Sequence, residues 1–146
     1  MTNPLRSALA VIAGVAVISL VVQSLEFTLV NAVADAPVRD MAGYFAVANR
    51  PSMLAAKLGY QTLAAILGGY LTAKIAESER LKHGALAAAV QTTALVWGFT
   101  AGEYAAFTPV WMRVALVVVT GPAMLAGAWV RAQAAQILDN SPREEP

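Results

Sequence analysis

Four charged side chains interrupt the apolar stretches of this chain, and they are the residues best able to do chemistry. Glu26 and Glu103 lie near the ends of two apolar stretches, while Lys57 and Arg113 lie near the beginnings of two others. If these stretches are alternating antiparallel helices, the four charges share one level. Ionisable groups at membrane depth are costly and mark functional sites by default. The sequence therefore predicts a charged layer formed by Glu26, Lys57, Glu103 and Arg113.

Three interpretations of the charged layer remain open. Each glutamate lies about 19 residues into its helix, near 28 Å of rise, which places it close to a membrane surface. At that depth the side chains can pair across the molecule or extend to the lipid headgroups. This structural role is the favoured interpretation, ahead of a coupling-ion or substrate site and ahead of a docking site for a partner.

Other chemistry finds little support in the sequence. There is no cysteine, and His83 is the only histidine, so metal and haem ligation lack the usual residues. No glycine-rich phosphate loop and no nucleophile motif is present. The net charge of +1 gives no indication of a nucleic-acid partner. The sequence predicts a protein that is not an enzyme and that has no cofactor.

The elements that position the charged layer are four long uncharged stretches, at residues 7–25, 58–73, 84–102 and 114–130. A helix of about 20 apolar residues crosses the hydrocarbon core of a bilayer. The hydrophobic fraction is 58% and the charged fraction 13%, against about 25% charged in soluble domains. We therefore expect an all-α fold, an integral membrane bundle of four transmembrane helices.

Turn signals and charges divide this bundle into predicted helices at residues 5–33, 51–79, 84–106 and 109–138. The segment 35–50 reads as an interfacial loop in which Met41, Tyr44, Phe45 and Val47 form a short amphipathic turn. Residues 1–138 are expected to form a single domain. Residues 139–146 form a polar C-terminal tail.

Small residues recur at a spacing of four in each predicted helix. Such pairs let helix backbones approach closely in a membrane. The pattern predicts close packing, within the chain more than between chains, at Gly14, Gly69, Gly98, Gly102 and Gly127.

Orientation follows from lysine and arginine near the helix ends. With a cytoplasmic N-terminus, that side carries six basic residues and the other side four, as counted from the sequence. An even number of helices places both ends of the chain on one side. We expect a multi-pass protein of the bacterial cytoplasmic (inner) membrane with both termini in the cytoplasm.

The second helix ends in Gly68-Gly69-Tyr70-Leu71-Thr72-Ala73-Lys74, and a charged turn and His83-Gly84 follow. Phe107-Thr108-Pro109-Val110-Trp111 opens the last helix. With these segments, the region 58–131 resembles a broad group of small uncharacterised four-helix bacterial membrane proteins. The resemblance implies a fold and a location, and it implies no activity.

These observations favour a structural role over catalysis. A compact bundle with little mass outside the lipid bilayer is expected to be an accessory subunit that packs beside a larger membrane complex, with a membrane-protein partner. The alternative is a small homo-oligomeric transporter or channel that uses Glu26 and Glu103.

Overall fold

A computed structural model describes residues 4–103 and 105–139 of the chain. Its secondary structure is entirely helical, which confirms the predicted all-α class. The described residues form α1 (Pro4–Val33), α2 (Met41–Ala48), α3 (Pro51–Ala76), α4 (Arg80–Ala101), a 3-10 turn (Ala105–Phe107) and α5 (Val110–Asp139). The predicted tail begins at Asp139, where α5 ends, and its remainder, residues 140–146, lies outside the described residues.

Three of the helices, α1, α4 and α5, are long and apolar enough to cross a membrane. The fourth predicted span, α3, is 26 residues long but does not meet the same criterion of length and composition. Its sequence explains the difference, because it combines Lys57, Gln61 and Thr72 with many glycine and alanine residues. These are the residues of a helix that faces protein, and α3 packs against α1, α4 and α5.

Glycines of α1, α3 and α5 allow the backbones to approach closely. A Cβ atom at Gly69 would lie 1.9 Å from the carbonyl oxygen of Met124. One at Gly127 would lie 1.9 Å from the carbonyl oxygen of Ile66, so the α3–α5 contact needs glycine on both sides. On another face of α3, a Cβ at Gly14 would lie 1.9 Å from the Thr72 hydroxyl. Larger residues would force these helices apart.

The glycines of α4 have different surroundings. A Cβ at Gly98 would meet no atom of the described residues within 4 Å. Gly102 is the C-cap of α4, and its N–H bonds the carbonyl of Gly98 at 3.1 Å. Among residues 4–103 and 105–139, neither glycine lies at a contact between helices, unlike Gly14, Gly69 and Gly127.

Both ends of α4 differ from the predicted bounds. The helix starts at Arg80, four residues before the expected start, because Glu77 and Glu79 take positive φ angles of 57° and 46° and reverse the chain within a few residues. It ends at Ala101 rather than near residue 106, because Gly102 leaves the helical conformation with φ −71° and ψ 143°. The 3-10 turn occupies the residues that were expected to continue the helix.

Gln61, Thr72 and Thr120 are buried polar residues whose side chains hydrogen-bond to one another or to backbone. The Gln61 amide donates to the Thr120 hydroxyl over 3.1 Å, and that hydroxyl donates to the Leu116 carbonyl over 2.7 Å. The Thr72 hydroxyl donates to the Gly68 carbonyl. The surrounding core includes Ile18, Ala64, Ala65, Ala87 and Met124.

The four long helices alternate in direction, so the molecule has two ends. At one end, Arg6 of α1 donates to the carbonyl of Ile75 and pairs with Glu77 beyond α3. The start of α4 and the last turns of α5 meet there too, where Arg80 and Gln136 line one groove. The opposite end, called here the charged-layer end, contains Glu26, Lys57, Glu103 and Arg113.

Candidate functional site

The short helix α2 covers part of the charged-layer end. Its first turn is capped by Asp40, whose carboxylate accepts the N–H of Gly43 over 2.7 Å. At its other end the Asn49 amide donates to the Phe107 carbonyl over 2.7 Å. The rings of Phe45 and Phe107 stack with centroids 4.9 Å apart. These contacts fix α2 over the ends of the long helices, and the segment predicted as an interfacial loop contains an eight-residue helix.

An ion pair lies beneath this cover. Lys57 Nζ is 2.7 Å from Glu26 Oε1, and the two side chains are 14% and 13% exposed. Breaking a buried pair leaves one charge without compensation, which costs about 3–5 kcal/mol. The sequence placed both residues at one level, and the structure brings them into direct contact between α1 and α3.

Two tyrosines lie beside the Glu26 carboxylate. Tyr60 is 9% exposed, and its hydroxyl has no hydrogen-bond partner of normal geometry among the described residues although it lies near Glu26. Tyr44 projects from α2, outside the long helices. Burial, and secondly the negative charge of Glu26, raises the pKa of Tyr44 to about 12. Tyr44 therefore stays a neutral hydrogen-bond donor at any physiological pH.

The other two members of the charged layer lie elsewhere. Glu103 is exposed at the end of α4 and forms no ion pair within residues 4–103 and 105–139. Arg113 donates from Nε to the Thr108 carbonyl over 2.6 Å and from Nη1 to the Phe99 carbonyl over 3.3 Å. It lines a separate groove with Val110 and Val114. The structure thus joins Glu26 to Lys57, and it does not join Glu103 to Arg113.

A cavity of about 670 Å³ connects Glu26, Lys57 and Glu103. Such a volume is typical of small-molecule sites, which range from about 300 to 1,000 Å³. Its walls come from α1, α2, the start of α3 and the last turns of α4, and they are mainly apolar. The lining includes Phe27, Met41, Tyr44, Phe45, Leu95, Gly98 and Phe99. Gly98 lines this cavity, which explains why no described residue lies within 4 Å of its Cβ position.

Sequence reasoning missed Tyr60 and Asn49 as contributors to the site. Tyr60 follows Lys57 by three residues, so helical spacing places both on one face of α3. That spacing was a usable signal. Asn49 carried no comparable signal, because its partner is a backbone carbonyl of Phe107, 58 positions away in the chain.

Comparison of the chain with protein-family models, with curated proteins and with solved structures finds no match. Among the described residues, no group of three or more histidine, cysteine, aspartate or glutamate side chains is arranged to hold a metal ion.

Proposed function

We propose that this protein crosses a bacterial inner membrane four times and packs as an accessory subunit beside a larger membrane complex, without catalysing a reaction. The single observation that carries the proposal is a mainly apolar, small-residue groove on the outward face of α4, with the Thr93 hydroxyl in it. The proposal also requires that α3 crosses the membrane as the fourth span.

Several properties support α3 as a span. With 26 residues it is ~39 Å long, which exceeds the ~30 Å of a hydrocarbon core. Its polar groups Gln61 and Thr72 are buried and hydrogen-bonded inside the protein, so lipid does not meet them. In a membrane such groups must be satisfied internally.

The groove on α4 supports a partner. Ala85, Ala89, Thr93 and Trp97 recur every four residues and are all exposed, with Trp97 71% exposed. A concavity of about 540 Å³ lies between Ala89, Thr93 and Trp97. Small residues on one face are where transmembrane helices approach each other.

Thr93 makes this groove unlike an ordinary lipid-facing surface. It lies near the middle of α4, and its hydroxyl makes no hydrogen bond within the described part of the chain, whereas Thr100 donates to the Val96 carbonyl. A hydroxyl in hydrocarbon needs a hydrogen bond, either to the carbonyl four residues earlier or to a partner helix. A transmembrane helix of another protein, with a polar side chain opposite Thr93, would satisfy the hydroxyl and fill the groove.

The test is the composition of the particle extracted from native membranes in a mild detergent. We expect a second, different chain in fixed stoichiometry with this 15.3 kDa protein. Ala89→Trp, which fills the groove, should release that chain. Leu20→Trp on α1, where Leu20 is 68% exposed, is the matched control and should retain it. A particle that contains this chain alone would contradict the proposal.

A second candidate function, a small homo-oligomeric transporter or channel, is favoured by one observation. Glu26 and Glu103 line the same cavity, as a coupling-ion or substrate site would require. A homo-dimer or homo-tetramer in mild detergent and a pH-driven flux in proteoliposomes, lost in Glu26→Gln with folding intact, would support this function over the accessory role.

A further inference from the structure

We propose that the cavity at the charged-layer end binds an amphiphilic amine, with a protonated nitrogen beside Glu103 and an apolar chain between α1 and α4. This inference concerns binding alone and depends on neither function proposed above. Three features of the cavity favour this ligand: its charge, its aromatic lining and the wall formed by α4.

The charges of the cavity select a cation. Glu26 and Lys57 neutralise each other at 2.7 Å. Glu103 also lines the cavity and has no basic partner among the described residues, so the lining carries a surplus of one negative charge. Arg113, the other basic residue of the charged layer, is held by the carbonyls of Thr108 and Phe99 and lines another groove. An anionic ligand would therefore be repelled.

The aromatic residues favour the same ligand. Phe27, Tyr44, Phe45 and Phe99 line the cavity with Glu103. The faces of such rings attract ammonium groups at separations up to about 6 Å. The raised pKa of Tyr44 keeps its hydroxyl neutral, so this side chain adds no second charge to the lining.

The wall between α1 and α4 fits an apolar chain. Phe27 of α1 and Gly98 of α4 both line the cavity, and Ala94 and Leu95 continue the wall along α4. Phe27 is 65% exposed, so this side of the cavity opens to the surroundings of the helices. A chain attached to the nitrogen would lie in that opening, and the missing side chain of Gly98 leaves it room.

The test uses three probes that share an eight-carbon chain: octylammonium, octanol and octanoate. Binding is measured by titration calorimetry on the full chain in a maltoside detergent, with protein-free micelles as the blank. We expect saturable binding of octylammonium, about tenfold or more tighter than that of octanoate, with octanol between them. Equal affinities for the three probes would overturn the proposal.

Variants assign the binding to this cavity. Glu103→Gln should weaken octylammonium about tenfold and leave octanol unchanged. The matched control is Asp35→Asn, which removes a carboxylate that is 86% exposed outside the cavity, and it should change neither. Gly98→Leu should abolish binding of all three probes while the melting temperature is retained, because no atom obstructs a Cβ there. Full affinity in Glu103→Gln or in Gly98→Leu would overturn the proposal.

An amine of this kind could be a lipid headgroup or a free molecule, and competition separates the two sources. Short-chain phosphatidylethanolamine carries the ammonium group, whereas short-chain phosphatidylglycerol does not. Displacement of octylammonium by the first lipid alone assigns the site to a headgroup. Displacement by neither lipid assigns it to a free amphiphilic amine, and equal displacement by both overturns selection by charge.

Discussion

Two ion pairs at the charged-layer end show how burial changes the contribution of an ion pair to stability. The Glu26–Lys57 pair and the Asp35–Arg50 pair have similar lengths of 2.7 and 2.6 Å. The first pair is nearly buried, whereas Asp35 is 86% exposed. Water and salt screen exposed pairs, which contribute about 0–1 kcal/mol. The two pairs therefore form a natural comparison within one chain.

We predict strong coupling in a double-mutant cycle of Glu26→Gln and Lys57→Met. Each single change should destabilise the protein by about 3 kcal/mol, because it leaves the other charge buried and unpaired. The double variant should recover much of that loss. Unfolding free energies in mixed micelles provide the measurement. The same cycle on Asp35 and Arg50 is the control and should show coupling of about 0–1 kcal/mol. Additive losses for the buried pair would contradict its structural role.

Glycine-to-alanine substitutions in α3 should change stability by different amounts, depending on the atoms near the new methyl group. Gly69→Ala places a Cβ 1.9 Å from the Met124 carbonyl oxygen, whereas at Gly59 nothing lies within 4 Å. We expect Gly69→Ala to cost about 1–3 kcal/mol from overpacking. Gly59→Ala should be neutral or stabilise by up to about 1 kcal/mol, since alanine has the higher helix propensity. Equal melting temperatures for the two variants would show that α3 and α5 do not approach as described.

At the scale of elements, the sequence predicted α1, α3 and α5 well because long apolar runs and Pro51 mark their bounds. It placed the ends of α4 wrongly. The start depends on two glutamates at positive φ, a conformation that side-chain pattern does not predict for this residue type. The sequence also could not predict which charged residues pair. Residue spacing predicts the height of a side chain along the helix axis, but it does not predict how each helix is rotated about that axis. The rotation of α1 and α3 brings Glu26 into contact with Lys57, whereas Arg113 of α5 contacts the carbonyls of Thr108 and Phe99.

The element α2 provides a pH-dependent prediction. Tyr44 has a pKa of about 12 in the folded protein against 10.0 for the free side chain. A group whose pKa rises on folding contributes full stability below the unfolded pKa. That contribution is therefore lost as pH rises from about 10 to 12. We expect Tyr44→Phe to lose less of its melting temperature over this range than the unmodified protein, as followed by circular dichroism. Parallel curves for the two proteins would show that Tyr44 is not desolvated in solution.

At the scale of the whole molecule, the absence of cysteine from the chain makes topology directly measurable. Single cysteines at Arg39 and Lys82 mark the link after α1 and the first turn of α4, at opposite ends of the molecule. With a cytoplasmic N-terminus and four spans, a membrane-impermeant maleimide should label R39C and not K82C in cells with the outer membrane permeabilised.

Two other outcomes of that labelling are equally informative. The inverse pattern would show a reversed orientation, which the six-to-four basic bias argues against. Identical labelling of both positions would show that α3 does not cross the membrane.

The central position of α3 has a consequence for biogenesis. The insertion machinery sorts each segment of a nascent chain by its hydrophobicity, and α3 is the long helix that falls short of the criterion its neighbours meet. Its glycines and polar groups become favourable only when α1 and α5 cover them. On the proposed topology, stable insertion of α3 therefore depends on its packing against α1, which is synthesised before it, and α5, which is synthesised after it. In a chain truncated before α5, α3 would lack half of its packing and would leave the membrane more easily. We therefore expect membrane proteases to cleave such truncated chains first at α3.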